Sequence, residues 1–219
     1  MSLQITVRGT AEGHHPAERA TVEMAAAVEG PDKEAVLQEA VGLQEPLAQQ
    51  LRSLADRGAV TTWSSDQLQV FSRRPWDGGV QSRTPVHTAR LRVRAEFVDF
   101  ERLNGFIEHW AGHAGMEVKG VAWEVTAKNR RLYEAEVRKA AVDDAVVKAQ
   151  AYADALRRGR VVAVELSDPG MLDGAAGVDP PVPMARLAGA AADGGDGSLA
   201  LEPEEIVIRV EVDARFRAD

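Results

Sequence analysis

The alternating pattern over residues 86–97 constrains the fold of this chain more than any other feature. Every second position carries an apolar or weakly polar side chain: His87, Ala89, Leu91, Val93, Ala95 and Phe97. The positions between them are polar and mostly charged: Thr88, Arg90, Arg92, Arg94 and Glu96. Because successive side chains of a β-strand lie on opposite faces, the pattern predicts a strand whose two faces differ sharply in polarity.

The same reasoning predicts the other elements of the chain. Strands are predicted over residues 3–7, 20–28, 60–71, 121–125, 161–166 and 206–216. Helices are predicted over residues 31–57, 99–114 and 129–158, where apolar side chains recur three or four positions apart. A strand–helix–strand order therefore occurs twice, at residues 20–71 and 86–126, before a long alanine-rich helix and a C-terminal strand.

The long helix is predicted to bury one stripe of apolar side chains. The stripe comprises Ala135, Val142, Val146, Ala149, Ala153 and Leu156. Residues 9–16 are rich in turn-forming residues and are predicted to interrupt the chain after the first strand. Residues 73–83 contain a proline and two glycines and are predicted to form a hairpin loop.

The length of 219 residues suits one large domain or two small ones. We predict a single domain over residues 1–219, with a main body at 3–168. Residues 169–203 are rich in Gly, Ala and Pro and are predicted to be mostly loop. Residues 204–217 then return as a strand to the sheet.

Charge and composition exclude several function classes. A net charge of -8 repels the phosphate backbone, so no nucleic-acid partner is predicted. The absence of cysteine excludes disulfides, thiolate metal sites and cysteine nucleophiles. No apolar run is long enough to span a membrane, and no leader pattern precedes the strand at residue 3, so we expect a cytoplasmic protein.

An arginine-rich surface is the main candidate binding site. It combines one strand face with the preceding loop, and comprises Arg73, Arg74, Arg83, Arg90, Arg92 and Arg94. Guanidinium groups bind carboxylates and phosphates, so this surface could hold an acidic partner. The alternative is a solvated sheet face with cross-strand ion pairs. Trp76 lies in the same loop, either as an interface anchor or folded back on its own hairpin.

A histidine pair on a helix is the main candidate metal site; the adjacent His14 and His15 could also bind a transition metal, against the alternative of a solvated turn. His109 and His113 lie four residues apart on the second predicted helix, which would bring both rings to one metal ion. Glu108 is a poorly directed third ligand, and Trp110 stands where a zinc-protease helix would place its general base. The alternative is two polar residues on an exposed helix face. No catalytic residue and no cofactor is predicted, because no nucleophile has a base beside it in the sequence pattern.

The order of several short motifs resembles the SIMPL-domain family along residues 3–217. The motifs are a strand with a Val-x-Gly turn, a proline before the second strand, a helix with spaced alanines, a valine-rich strand, a Pro-x-Pro-Met segment and a closing strand. In this sequence they are Val7-Arg8-Gly9, Pro16 to Ala20, Ala141 to Gly159, Val161 to Glu165, Pro181 to Met184 and Leu201 to Phe216.

The resemblance implies a bacterial protein with an α+β fold, in which antiparallel β-sheets pack against two or three main helices. It also implies assembly into homo-oligomers and suggests links to signalling partners and stress responses. It implies no established catalytic activity, and it supplies no catalytic residues.

These observations predict a non-enzymatic module that binds a protein partner or assembles with copies of itself. Two alternatives stay open. One is a metal-dependent or hydrolytic enzyme that uses His109 and His113. The other is a polyanion-binding protein that uses the face of Arg90, Arg92 and Arg94.

Overall fold

The computed structural model describes residues 2–77, 80–81, 84–172 and 201–219. Over these residues the fold is α+β, as predicted, with three helices and two antiparallel sheets that together contain eight strands. A short two-stranded hairpin supplements them. The predicted loop at residues 169–203 lies largely outside the described residues.

The elements follow the predicted order. The helices are α1 (Lys33–Asp56), α2 (Phe100–Ala111) and α3 (Ala127–Ala155). The strands are β1 (Leu3–His15), β2 (Arg19–Gly30), β3 (Val60–Ser65), β4 (Gln69–Arg73), β5 (Trp76–Asp77), β6 (Val80–Gln81), β7 (Val86–Phe97), β8 (Met116–Glu124), β9 (Val162–Ser167) and β10 (Ile206–Ala218). The doubled strand–helix–strand order is confirmed as β2-α1-β3 and β7-α2-β8.

The elements form two compact units, one of β1, α3, β9 and β10 and the other of the remaining elements. The assignment of all 219 residues to a single domain stays a prediction. No helix in the described ranges is long and apolar enough to cross a membrane.

The first unit is a three-stranded antiparallel sheet in the order β1-β10-β9, with α3 packed on one face. Four alanines spaced four residues apart on α3 are fully buried against this sheet: Ala141, Ala145, Ala149 and Ala153. The predicted stripe was therefore partly wrong, since Ala135, Val146 and Leu156 are exposed. Small side chains let the helix axis come close to the sheet, so the face with alanines is buried in preference to the face with larger residues.

Residues 9–16 do not interrupt the chain as predicted, because β1 continues to His15 and stays paired with β10. Gly9 is a strand residue opposite Val212 rather than a turn residue. A Cβ atom at Gly9 would lie 2.0 Å from the carbonyl oxygen of Ala141. The glycine is thus required by the close approach of α3 and not by a change in backbone direction.

The second unit is a sheet in the order β3-β7-β2-β8, in which β4 also pairs with β7. The strand predicted at residues 60–71 is two strands, because residues 66–68 leave the ladder. Helices α1 and α2 cover one face of this sheet. The largest fully enclosed side chains of this core are Phe97, Phe106, Met24, Leu47, Leu51, Leu91, Leu103 and Val22.

Aspartate side chains cap the N-termini of the two covering helices. The Asp32 carboxylate accepts hydrogen bonds from the backbone N–H groups of Glu34 and Ala35, at 2.8 and 3.0 Å. The Asp99 carboxylate accepts one from the N–H group of Arg102 at 3.0 Å. Each aspartate satisfies donors that have no partner inside the helix, and its charge suits the positive end of the helix dipole.

Candidate functional site

The uncovered face of the five-stranded sheet carries the predicted arginines. The apolar residues of β7 from Leu91 to Phe97 lie in the core under the helices, and the residues between them lie on the opposite face. Thr88 departs from this pattern because it is only 2% exposed. Its hydroxyl donates a 2.9 Å hydrogen bond to the Glu29 carboxylate on β2. The prediction of a two-faced strand is therefore correct in outline, with one polar position buried.

Two of the predicted arginines are paired across strands. Arg94 lies 3.6 Å from the Glu23 carboxylate on β2, and Arg73 lies 3.3 Å from the Glu29 carboxylate. Each pair is solvent-exposed, so each contributes little to stability, on the order of 0–1 kcal/mol. Both guanidinium groups nevertheless already have an acidic neighbour, which weakens their attraction for a further anion.

Arg90 and Arg92 differ from these two arginines. Within the described ranges, neither side chain forms a hydrogen bond or an ion pair. The Arg90 Nε atom is shielded from solvent and has no hydrogen-bond partner. Arg92 is exposed and lies beside Arg90 along a notch in the sheet edge. The arginines predicted as one surface therefore separate into a paired set and an unpaired set.

The notch forms where residues 66–68 leave the sheet between β3 and β4. It has a volume of about 170 Å³ and is lined by Asp66, Gln67, Gln69, Phe71, Arg90 and Arg92. The Asp66 backbone N–H donates to the Arg92 carbonyl oxygen at 2.9 Å, which fixes the start of the gap. Phe71 is 45% exposed and supplies an apolar wall.

A larger depression of about 440 Å³ lies at the other end of the same face. Its polar lining includes Thr21, Thr62, Ser64, Arg94, Glu96 and Glu124. Arg19 bridges Glu96 and Glu124, with N–O distances of 2.8 and 3.0 Å. One guanidinium thus holds both carboxylates, and this geometry suits a structural ion cluster rather than an acid/base pair.

A serine–histidine pair was missed by the sequence reasoning. Ser72 Oγ and His87 Nδ1 lie 2.6 Å apart, on paired positions of β4 and β7. In the part of the chain that the structure describes, no carboxylate contacts the other ring nitrogen of His87. The pair therefore lacks the orienting group of a catalytic triad. Only the strand register could reveal it, since 15 residues separate the two side chains along the chain.

The histidine pair lies at the end of α2, with both side chains exposed. The His109 and His113 rings have centroids 4.7 Å apart, and His113 Nδ1 lies 2.8 Å from the His109 carbonyl oxygen. Among the described residues, no three His, Asp or Glu side chains lie close enough together to hold a metal ion. The two rings are neighbours as predicted, but a third ligand is missing from the described surroundings, and metal binding stays a prediction.

The loop predicted to present Trp76 contains the hairpin of β5 and β6, with Trp76 paired to Gln81. The side chain of Trp76 and residue Arg83 lie outside the described part of the structure. Arg74 is exposed just before this hairpin. Both predicted roles of Trp76 therefore stay open.

The two edges of the smaller sheet differ in a way that the sequence did not reveal. Along β1, the Asp144 carboxylate accepts from the Thr10 backbone N–H at 2.8 Å, and Lys148 Nζ donates to the Arg8 carbonyl oxygen at 3.1 Å. Asp144 and Lys148 also pair with each other at 2.6 Å. Hydrogen bonds from Lys148 and from the Thr10 N–H lower the pKa of Asp144. Side chains of α3 thus occupy the outer edge of β1.

The opposite edge, β9, has no such protection from described residues. Val162, Val164 and Leu166 are each more than half exposed. The only charged side chain of the strand, Glu165, lies 2.7 Å from Arg215 on the neighbouring strand β10. A bulge at Val164 makes the pairing with β10 irregular, but no proline or lysine blocks the edge. Unprotected apolar edges of this kind favour pairing with another strand.

Comparison with protein families identifies the chain. The family described as SIMPL, a protein of unknown function (DUF541), matches residues 5–216. No curated protein matches the chain significantly. The family match covers both sheets and all three helices, and it confirms the resemblance drawn from the motifs. The chain therefore belongs to the SIMPL family.

Proposed function

We propose that this chain is a non-enzymatic module that assembles with a second copy of itself through strand β9. The observation that carries the proposal is the exposure of three apolar side chains on a sheet edge that no described residue covers. Exposed edges offer unpaired backbone N–H and C=O groups to another strand, and apolar side chains add burial to those hydrogen bonds. The contrast with β1, whose edge is occupied by Asp144 and Lys148, supports a role for this edge in particular.

The sequence of β9 suits a second copy better than an unrelated partner. In an antiparallel arrangement centred on Val164, this apolar side chain would face its equivalent in the other copy, and neither Glu165 would face another Glu165. Glu165 also keeps its own partner, Arg215, within each copy. The bulge at Val164 would limit the regular pairing to a few residues on either side.

Sedimentation velocity over a range of protein concentrations tests the assembly. We expect the wild-type protein to form dimers or larger oligomers at high concentration and Val164→Lys to stay monomeric. Val147→Lys is the matched control, because Val147 is 67% exposed on α3 and Val164 is 57% exposed on β9. A wild-type protein that remains monomeric at every concentration would refute the proposal, as would equal effects of the two variants.

A cysteine probe locates the contact directly. The natural chain contains no cysteine, so Val164→Cys introduces a single thiol. Directly opposed residues of antiparallel strands have Cβ atoms about 4.5–5.5 Å apart, near the spacing that a disulfide requires. Mild oxidation should convert Val164→Cys to a disulfide-linked dimer much faster than Val147→Cys. Similar rates for both variants would mean that β9 does not form the contact.

The absence of a catalytic role is part of the same proposal. It is supported by the ion pairs that engage Glu96 and Glu124 with Arg19, and by the lack of a described carboxylate beside the Ser72–His87 pair. A purified protein that hydrolyses a panel of ester, peptide and phosphate substrates, and loses this activity in Ser72→Ala, would overturn it.

A further inference from the structure

We propose that Arg90 and Arg92 form a binding site for a small oxyanion, a carboxylate or phosphate group, in the notch between β3 and β4. The site lies in the second unit and is independent of the assembly proposed through β9. The proposal rests on which arginines of this sheet face form ion pairs, on the size of the notch and on the hydrogen-bond donors that line it.

The first argument is the unequal pairing of the arginines. Arg94 and Arg73 form ion pairs with carboxylates at 3.6 and 3.3 Å, whereas no described carboxylate forms an ion pair with Arg90 or Arg92. The charge of Arg90 also acts on Glu117. The pKa of Glu117 is lowered mainly by its hydrogen bond with Lys119, and the charge of Arg90 adds only a weak effect. Two guanidinium groups are thus left with unused donors on one side of the sheet.

The second argument is the enclosed Nε atom of Arg90. A charged donor that is shielded from water without a partner is unfavourable, and it gains more from a ligand than a solvated donor does. The backbone of Arg90 is held in β7, paired with Ala27 on one side and Gln69 on the other. Binding would therefore not require the strand to move.

The third argument is the size and chemistry of the notch. A volume of about 170 Å³ accommodates a phosphate or a small carboxylate but not a nucleotide or a peptide helix. Guanidinium groups bind two oxygens of such anions at once, and the amides of Gln67 and Gln69 add neutral donors. Asp66 is the one acidic side chain in the lining, so the notch keeps an excess of one positive charge.

The test follows the arginine Nε–H signals by NMR during titration with sodium phosphate and, separately, with sodium acetate. Sodium chloride at matched ionic strength is the salt control. We expect a saturable shift of the Arg90 Nε–H signal with at least one oxyanion and none with chloride. The anion that saturates at the lower concentration identifies the preferred chemistry, phosphate or carboxylate.

Variants separate this site from general surface charge. Arg92→Gln should weaken binding about tenfold or more, as expected for losing a charge-assisted hydrogen bond. Arg94→Gln removes the same charge from the same strand but from an arginine already paired with Glu23, and it should change the affinity less than about twofold. The proposal is overturned if neither oxyanion gives a saturable shift, or if both variants lose binding equally. Thermal melting of each variant verifies that the fold is retained.

Discussion

Replacing Gly9 by alanine should destabilise the smaller sheet severely. A Cβ atom at this position would lie 2.0 Å from the Ala141 carbonyl oxygen and 2.8 Å from the Ala145 Cβ atom. Contacts under 3.0 Å do not occur between real Cβ atoms and their neighbours, so strand β1 and helix α3 must separate. The nearest obstacle is backbone, which cannot rotate away as a flexible side chain would.

The loss of stability in Gly9→Ala can be estimated from the type of clash. Adding a methyl group to a packed core typically costs about 1–3 kcal/mol, and more where the surroundings cannot adjust. Because the backbone of α3 is the obstacle, we expect about 3 kcal/mol or more at Gly9. For a chain of this size that loss lowers Tm by roughly 6–12 °C. Adding Ala145→Gly to the Gly9→Ala variant should restore little stability, since the Ala141 carbonyl group remains in place.

The assay is thermal and urea unfolding, with Gly42→Ala as the matched control. Gly42 lies in α1, where an added Cβ meets nothing within 4 Å. Alanine is favoured over glycine inside a helix by about 1 kcal/mol, so this variant should be more stable than the natural protein. A Gly9→Ala protein that melts within about 2 °C of the natural protein would refute the close packing of α3 on β1.

Three further predictions concern particular contacts in the two units. The hydrogen bond from Arg8 lowers the pKa of Asp213. Asp213 therefore stabilises the fold above its unfolded pKa of about 3.9, and this contribution is lost as the pH falls through the folded pKa. In urea unfolding, Asp213→Asn should be less stable than the natural protein at pH 7, and the difference should shrink in acid. Trp110→Phe removes the 2.6 Å hydrogen bond from Nε1 to Gln50 and leaves a void, which should cost about 1–3 kcal/mol in urea unfolding. Leu51→Ala empties a fully buried position and should cost about 2–5 kcal/mol in the same assay; a cost below about 1 kcal/mol would contradict the packing of α1.

Local periodicity determined much of the fold from the sequence. The alternation around Leu91 and Phe97 predicted a two-faced strand, and the spacing of apolar side chains predicted helices that the structure has as α1, α2 and α3. These features succeed because strand alternation and helical periodicity depend on residues within a few positions of each other. The motif order along the chain likewise predicted the family, which the match over residues 5–216 confirms.

The sequence predicted the candidate sites only in part. The sequence placed Arg90, Arg92 and Arg94 on one face, but it could not show that Arg94 is paired and the other two are not. That distinction depends on which strand lies beside β7 and in which register, a long-range property that no local pattern encodes. The pairing of Ser72 with His87 was hidden for the same reason.

Tertiary packing alone decided which surfaces are buried and which edges are open. Helix α3 carries two apolar stripes, and the alanine stripe is buried because its small side chains allow the closer approach to the sheet, with Gly9 on β1 as its counterpart. The valines of β9 look like core residues in the sequence, yet they are exposed because β9 is the last strand of its sheet and α3 covers only the other two. A hydrophobic side chain favours burial wherever it lies in the sequence. Whether the folded chain buries it depends on the position of its strand in the sheet.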